Sequence, residues 1–444
     1  MSNNDIYQMK RVELPHDIET SVPGSKSITN RALLLAALAT GKSTLSGVLF
    51  SDDSRHFLQC LIDLGFSVEI DETNKKVTIE GKNGKIPKKE AEIYVGSAGT
   101  AARFLTAMLG LSEGTYTIRA SAQMEKRPMD SLFASLKELG ADITYLGEEG
   151  HLPARIGSSG IRTDCVTVDI EKSSQFLSAL LISSNLLKRD FSIQIAGNHG
   201  MAYIDMTVHM MEQFGYEVQK VGEREYYIPA HQQYKAKEYQ VEPDVSAACY
   251  FYGMAAILGC ETLVKHVHRD SMQGDIQFLD ALTAMGCNAK ELSEGMLLQG
   301  TDTYKGIEID MGSFSDQTMT MAVTAIFAEG ATTITGIEHI RYQESNRIQA
   351  VINELTRIGI TCEEVDGGIR RYPGEPKPAE IETYEDHRMA MAFSLVGVKT
   401  GKITILNPGC CKKTFENYFE SKSYVSLCVF LKGDYVTWKF TIFI

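Results

Sequence analysis

Four cations stand where the starts of helices normally repel them. Lys26 and Arg31 lie in VPGSKSITNR, Arg103 in GSAGTAAR and Arg388 in DHRMA, each just inside a run that reads as a helix. A helix N-terminus carries about half a positive charge and several unpaired N–H groups, so its first turn prefers Asp or Glu. Lys and Arg there cost stability unless an anion is bound among them. One such side chain can simply lean into solvent; several at equivalent positions make a ready anion site, with Arg gripping phosphate or carboxylate in two places.

Two other chemistries fail on spacing. Gly41-Lys42-Ser43 looks like the end of a phosphate loop, but the Gly required five residues earlier is Ala36, and a helical run precedes it where a strand belongs. Gly24-Ser25-Lys26-Ser27 lacks the Gly-Lys pair. His199, His209, His266, His268 and His339 show no spacing with Cys or carboxylates that would define a ligand set, so no metal is expected.

The elements that must position these cations repeat. Polar clusters at Ser25, Ser97, Ser173, Asp244, Ser315 and Asp386 each open a small, apolar helix-like run, at intervals of 72, 76, 71, 71 and 71 residues. A second marker, an amphipathic helix stopped by Gly and followed by an alternating strand, recurs at Gly65, Gly140, Gly215, Gly286 and Gly359. The chain therefore reads as six related units, each a buried helix, a strand, an exposed helix and strands. Five Gly stops for six buried helices imply that the last unit is completed by a strand from the other end of the chain, before Ser25.

Composition sets outer limits. With 444 residues and 43% hydrophobic content the chain can bury two substantial cores. A net charge of -13 argues against nucleic acid as a partner. Nine scattered cysteines without a C-x-x-C pair point to a reduced compartment, and the adjacent Cys410 and Cys411 read as core rather than redox residues. The start MSNNDIYQMKRVELPHD has neither the apolar core of a secretory signal nor the composition of a transit peptide, and no apolar stretch approaches the roughly 18 residues of a membrane span. A cytoplasmic location is expected, with no membrane partner.

Ten runs then carry a resemblance. PGSKSITNRALLLAALATG, GSAGTAARFL, EKRPM, SSQFLSALL, YIDMT, SMQGD, SDQTMTMAV, ESNRI, YEDHRMAMAFSL and KTF fall in order over residues 23 to 420. Together they resemble the EPSP synthase family, the 3-phosphoshikimate 1-carboxyvinyltransferases. The resemblance implies an α/β fold of the enolpyruvyl transferase type, an inside-out α/β barrel in two domains with three βαβαββ-type units each. Projected here, one domain is 25–242 and the other combines 1–24 with 243–420, while 421–444 has no counterpart. It also implies a cleft that closes on the substrates, a monomer, and a target of the herbicide glyphosate.

The implied reaction moves the enolpyruvyl group of phosphoenolpyruvate to the 5-hydroxyl of shikimate 3-phosphate and releases phosphate, in the pathway to aromatic amino acids. No metal or organic cofactor is needed, because protonation makes the enol ether electrophilic. Two phosphates and two carboxylates bring about -6. The seven cations Lys26, Arg31, Arg103, Arg127, Arg347, Arg388 and Lys413, less Asp316 and Glu344, with six helix ends, supply about +8. By resemblance, shikimate 3-phosphate is held by Lys26, Ser27, Arg31, Ser173, Ser174, Gln175, Tyr203, Asp316 and Gln343. Phosphoenolpyruvate is held by Lys26, Gly99, Arg103, Arg127, Gln175, Arg347, Arg388 and Lys413. Glu344 is the expected acid, with Lys26 or Lys413 assisting, and Asp316 the expected base.

Some positions depart from the family pattern. Gln343 replaces the Lys of its K-E-S/T-D/N-R motif, Gly200 stands where a phosphate-binding Ser is common, with Asn198 and His199 as candidates to compensate, and Ser97 replaces an Asn. The tail SKSYVSLCVFLKGDYVTWKFTIFI is rich in β-branched and aromatic residues and reads as a poorly integrated extension. Two rival readings stay open. A UDP-N-acetylglucosamine enolpyruvyl transferase is disfavoured because SAQMEKRPMD has no Cys. A binding-only paralogue, motivated by Gln343 and Gly200, is disfavoured by the presence of Glu344, Asp316 and Lys413.

Overall fold

The computed structural model describes residues 6–12, 17–158, 160, 162–197 and 200–419. Asn198, His199 and the 421–444 extension lie outside the described residues. The chain divides into two compact units: Gly24–Val241, and the described parts of Met1–Pro23 with Glu242–Ile444.

In the unit Gly24–Val241 the helices are α1 (Lys26–Leu38), α2 (Asp52–Asp63), α3 (Gly99–Gly110), α4 (Ala122–Glu125), α5 (Asp130–Leu139), α6 (Gln175–Ser183) and α7 (Met201–Gln213). Three four-stranded sheets accompany them. The middle one shows the pattern: Glu90–Tyr94 runs parallel to Thr115–Arg119, which pairs antiparallel with Ala154–Ser158 and through it with Ala141–Tyr145. The parallel pair brackets α3, and α5 leads into the hairpin. Helix α3 is buried at every residue, α1 from Ile28 to Leu38 and α6 from Phe176 to Ser183, as expected for runs apolar all round. Each fully buried Leu, Phe or Met there contributes about 1.5–3 kcal/mol. Helices α2 and α5 bury one face only. All five Gly stops have positive φ, and Gly140, at +110°, caps α5 in a left-handed conformation.

The second unit repeats the scheme with α8 (Val245–Leu258), α9 (Phe278–Met285), α10 (Thr318–Ala325), α11 (Arg347–Arg357) and α12 (His387–Thr400). Helices α8, α10 and α12 are the buried ones. Among the described residues two of its sheets have four strands and the third has three.

The borrowed strand turns out to be part of a wider arrangement. Ile6–Gln8 does join the sixth repeat, antiparallel to Ile403–Leu406. Ile18–Thr20 also lies parallel to Glu261–Lys265, and Glu238–Gln240 lies parallel to Thr40–Ser46. The first buried helix of each unit has no strand immediately before it in its own repeat, so the chain supplies that parallel partner from a stretch remote in sequence. The six repeats are therefore not all self-contained βαβαββ units: among the described residues the sixth shows no amphipathic helix or hairpin, and the first and fourth take their leading strands from elsewhere.

The N-terminal stretch is packed as core. Met9 and Ile18 are buried, and the Met9 N–H donates to Ile403 O at 2.9 Å. Gly397 of α12 leaves the space that the Met9 side chain fills; a Cβ there would collide with Met9 Cβ and Cγ. Gly397→Ala should therefore lower stability by about 1–3 kcal/mol in urea denaturation. An unchanged midpoint would mean that this stretch is not docked against α12.

Candidate active site

Each unit carries its own cluster of expected site residues. In Gly24–Val241 the first turns of α1, α3 and α6 hold no acidic residue. Ser25 caps α1, its Oγ accepting from the Ile28 N–H. Arg31, one turn further on, is 3% exposed and donates to Thr207 Oγ1 at 2.7 Å, Ser27 O at 3.0 Å and Tyr203 O at 3.2 Å. Its guanidinium lies 5.4 Å from the Phe104 ring centroid. No acidic side chain pairs with it among the described residues, and burial pulls its pKa down to about 10 despite the opposing influence of Tyr203. This cation is fixed entirely by neutral acceptors, so it keeps its charge available for an anion.

Arg103 and Arg127 are also buried, at 1% and 7% exposure. Arg103 reaches Gly99 O at 3.3 Å and Pro128 O at 3.1 Å and faces the Phe176 ring of α6. The two guanidiniums meet over Gly99, where a Cβ would lie 2.5 Å from Arg127 Nη1 and 2.7 Å from Arg103 Nη1. A side chain at position 99 would therefore have to displace one or both guanidiniums at the start of α3. Lys26 is 3.8 Å from Asp53, which is itself buried in the first turn of α2.

Ser173 Oγ accepts from the Gln175 N–H at 3.3 Å, Ser174 is buried, and Gln175 Oε1 is buried without a hydrogen-bond partner among the described residues. Gly200, the departure from the family's Ser, has φ +68°, and a Cβ there would come within 2.7 Å of Ser174 Oγ. Here the Ser174 hydroxyl occupies the space that a residue 200 side chain would need. The unit thus gathers Ser27, Arg31, Ser174 and Tyr203 around one set of contacts and Gly99, Arg103 and Arg127 around another.

The second unit is built on Arg347, the first residue of α11, at 1% side-chain exposure. Its Nε donates to Asp386 Oδ2 at 2.8 Å, its Nη2 to Glu344 Oε2 at 2.9 Å, and its Nη1 to Asp316 Oδ1 at 3.1 Å and to Gln343 Oε1. Burial works against this cation, but the charges of Asp386, Glu344 and Asp316 outweigh burial and the repulsion of Arg388, and its pKa is raised. Arg388 donates to the other Asp316 oxygen at 2.7 Å, and Lys413 lies 3.4 Å from Glu344 Oε1. Asp316 therefore bridges two arginines, and Glu344 lies between an arginine and a lysine. Gln343 turns its amide oxygen to Arg347, where the family's Lys would place a second cation.

The family model for EPSP synthase (3-phosphoshikimate 1-carboxyvinyltransferase) matches residues 13–421. The chain belongs to the EPSP synthase family. It is 41% identical over 416 residues to the 3-phosphoshikimate 1-carboxyvinyltransferase of Nostoc punctiforme, covering 94% of this chain and 98% of that protein. It is 42% identical over 412 residues to the one from Vibrio campbellii, covering 92% and 96%. Its fold is similar to that of EPSP synthase from Acinetobacter baumannii, with a TM-score of 0.76, 26% identity and coverage of 95% and 97%. The chain is thus a transferase of this EPSP synthase family, with the family's mixed α/β fold.

Several residues of these two clusters escaped the sequence reading. Asp386 was visible as a helix opener, but not as the acid that caps α12 through the Arg388 N–H at 2.9 Å while accepting two bonds from Arg347 and one from Ser345. Thr207, in YIDMT, anchors Arg31 from α7. His339 sits 2.8 Å from Ser315 Oγ, and burial pushes its pKa down to about 4, so it is a neutral imidazole. Among the described residues no three His, Cys, Asp or Glu side chains are grouped to hold a metal, and no helix is long and apolar enough to cross a membrane.

Asp386 is 0% exposed, so removing it leaves Arg347 short of one buried counter-charge and α12 without its cap. Asp386→Ala should destabilise the protein by about 3 kcal/mol or more in urea denaturation. Asp386→Asn, which can still cap, should lose less. Equal stability of the alanine variant and the parent would remove Asp386 from the network.

Proposed function

We propose that this chain transfers the enolpyruvyl group of phosphoenolpyruvate to the 5-hydroxyl of shikimate 3-phosphate, releasing phosphate. Family membership supports the reaction, and the observation that carries it is Arg31: a buried cation held by neutral acceptors beside helix starts that hold no acid. Such a cation favours a bound anion. In this reading Arg31 and Ser27 take the shikimate carboxylate, Ser173 and Ser174 the 3-phosphate, with Tyr203 and Gln175 beside them and Gln343 at a hydroxyl. Lys26, Gly99, Arg103, Arg127, Gln175, Arg347, Arg388 and Lys413 take phosphoenolpyruvate. The reading extends to a cytoplasmic monomer acting on two small anions, with no nucleic-acid or membrane partner.

The roles follow from charge and proton position. Asp316, held at both oxygens by Arg347 and Arg388, accepts the proton of the attacking hydroxyl. Glu344 delivers a proton to the methylene carbon, which makes the adjacent carbon electrophilic and lets the C–O bond form. In the elimination, the methyl group returns a proton to Glu344 as the C–O bond to phosphate breaks, and the proton taken up by Asp316 passes to the departing phosphate, which restores both carboxyl groups. Arg347 and Lys413 favour a charged Glu344, so the proton it carries depends on the substrate anions that offset those cations; Lys413 or Lys26 assists. Charge developing on the departing phosphate is met by donors already in place, which is where such a site gains most of its rate.

Phosphate release from phosphoenolpyruvate should require shikimate 3-phosphate and not occur with UDP-N-acetylglucosamine. Release with the nucleotide sugar alone, or with neither acceptor, contradicts the assignment. Glu344→Gln should reduce kcat by about a hundredfold or more while both KM values change only a few-fold. Wild-type turnover in that variant would place the acid elsewhere.

A further inference from the structure

A second carboxyl lies behind Asp316. Asp275, in SMQGD just before α9, is 4% exposed. Its Oδ2 accepts from Ser246 Oγ in a short contact and from Gln317 Nε2 at 3.0 Å, while its Oδ1 is buried without a hydrogen-bond partner among the described residues. Ser246 Oγ in turn lies 3.4 Å from Arg388 Nη2, the same nitrogen that holds Asp316 Oδ2 at 2.7 Å. Gln317 is the residue next to Asp316 in the same 3-10 turn, Ser315–Gln317. Two short paths therefore lead from Asp275 to Asp316, one through Ser246 and Arg388 and one through Gln317.

We propose that Asp275 is a positioning residue for Asp316: it fixes the Arg388 guanidinium and the turn that carry Asp316, and its negative charge strengthens Asp316 as a proton acceptor. The proposal rests on Asp316 being the base. The charged and titratable groups facing Asp275 are Asp316 from that turn, Arg388 from α12 and Cys249 from α8, whose thiol lies against Asp275 and the capping Asp244. Burial, then repulsion by Asp316, pushes the Asp275 pKa up to about 6, with Arg388, Ser246 and Gln317 opposing. Asp275 is thus charged above that pH and neutral below it. Because the coupling of two carboxylates is reciprocal, a charged Asp275 also makes Asp316 hold a proton more readily.

Asp275→Asn separates charge from shape, since an amide oxygen can keep the Ser246 and Gln317 bonds and its NH2 takes the unpartnered side. The variant should lower kcat about three- to tenfold at pH 8 with KM values nearly unchanged, and the deficit should shrink toward pH 5, where the parent's Asp275 is also neutral. Ser246→Ala, which cuts one path without removing charge, should lower kcat by a factor that does not vary with pH. Independently of turnover, the Asp275 carboxyl followed by 13C NMR in the full chain should titrate about one unit lower in Asp316→Asn than in the parent. An unmoved Asp275 midpoint, or a kcat deficit of Asp275→Asn that is equal at pH 5 and pH 8, overturns the proposal. Wild-type turnover of Asp275→Asn at every pH likewise overturns it even if the midpoint shifts, whereas wild-type turnover of Asp316→Asn would instead overturn the reading of Asp316 as the base.

Discussion

One almost solvent-free guanidinium organises half of the chemistry. Arg347 is buried among Asp316, Glu344 and Asp386, which come from a 3-10 turn, from the residues just before α11 and from the cap of α12. An isolated charge in that position would be costly, and three carboxylates together would repel one another. Each is tolerable only because the other is present. The consequence is a fixed spacing between the two carboxylates assigned to proton transfer, set by the fork of a single side chain.

The unit Gly24–Val241 solves the opposite problem. Arg31 has a buried positive charge with no acid paired to it among the described residues, held by a hydroxyl and two backbone carbonyls. Neutral acceptors orient a guanidinium without neutralising it. Ion pairs hold Arg347, Arg388 and Lys413 of one unit around the carboxylates assigned to proton transfer, while Arg31 of the other keeps its charge for the anion it is proposed to bind.

Two positions that the resemblance marks as departures have local explanations. At Gly200, with φ +68°, a Cβ would meet the Ser174 side chain. Gln343 gives Arg347 an acceptor where the family's Lys would add repulsion. These are local exchanges of volume and charge, and they leave the carboxylates, arginines and lysine of the site in contact.

The repeat, the buried helices, the Gly stops and the first-turn cations Lys26 and Arg388 were legible in the sequence, because each depends on residues close together along the chain, whereas Arg31 and Arg103 fall one turn further into their helices. The ten motifs in order carried the family. What the chain could not show by itself was which remote segments meet. The strand partners Ile18–Thr20 and Glu238–Gln240 are three-residue stretches with no distinctive pattern, chosen by the vacant edge they fill. Asp386 looked like an ordinary cap, Asp275 like one letter of a motif and Thr207 like a helix residue. Their functions come from bonds to side chains 29 to 176 positions away in sequence. A buried charge selects its partner by distance in space, and only the packed helices bring that distance down to a hydrogen bond.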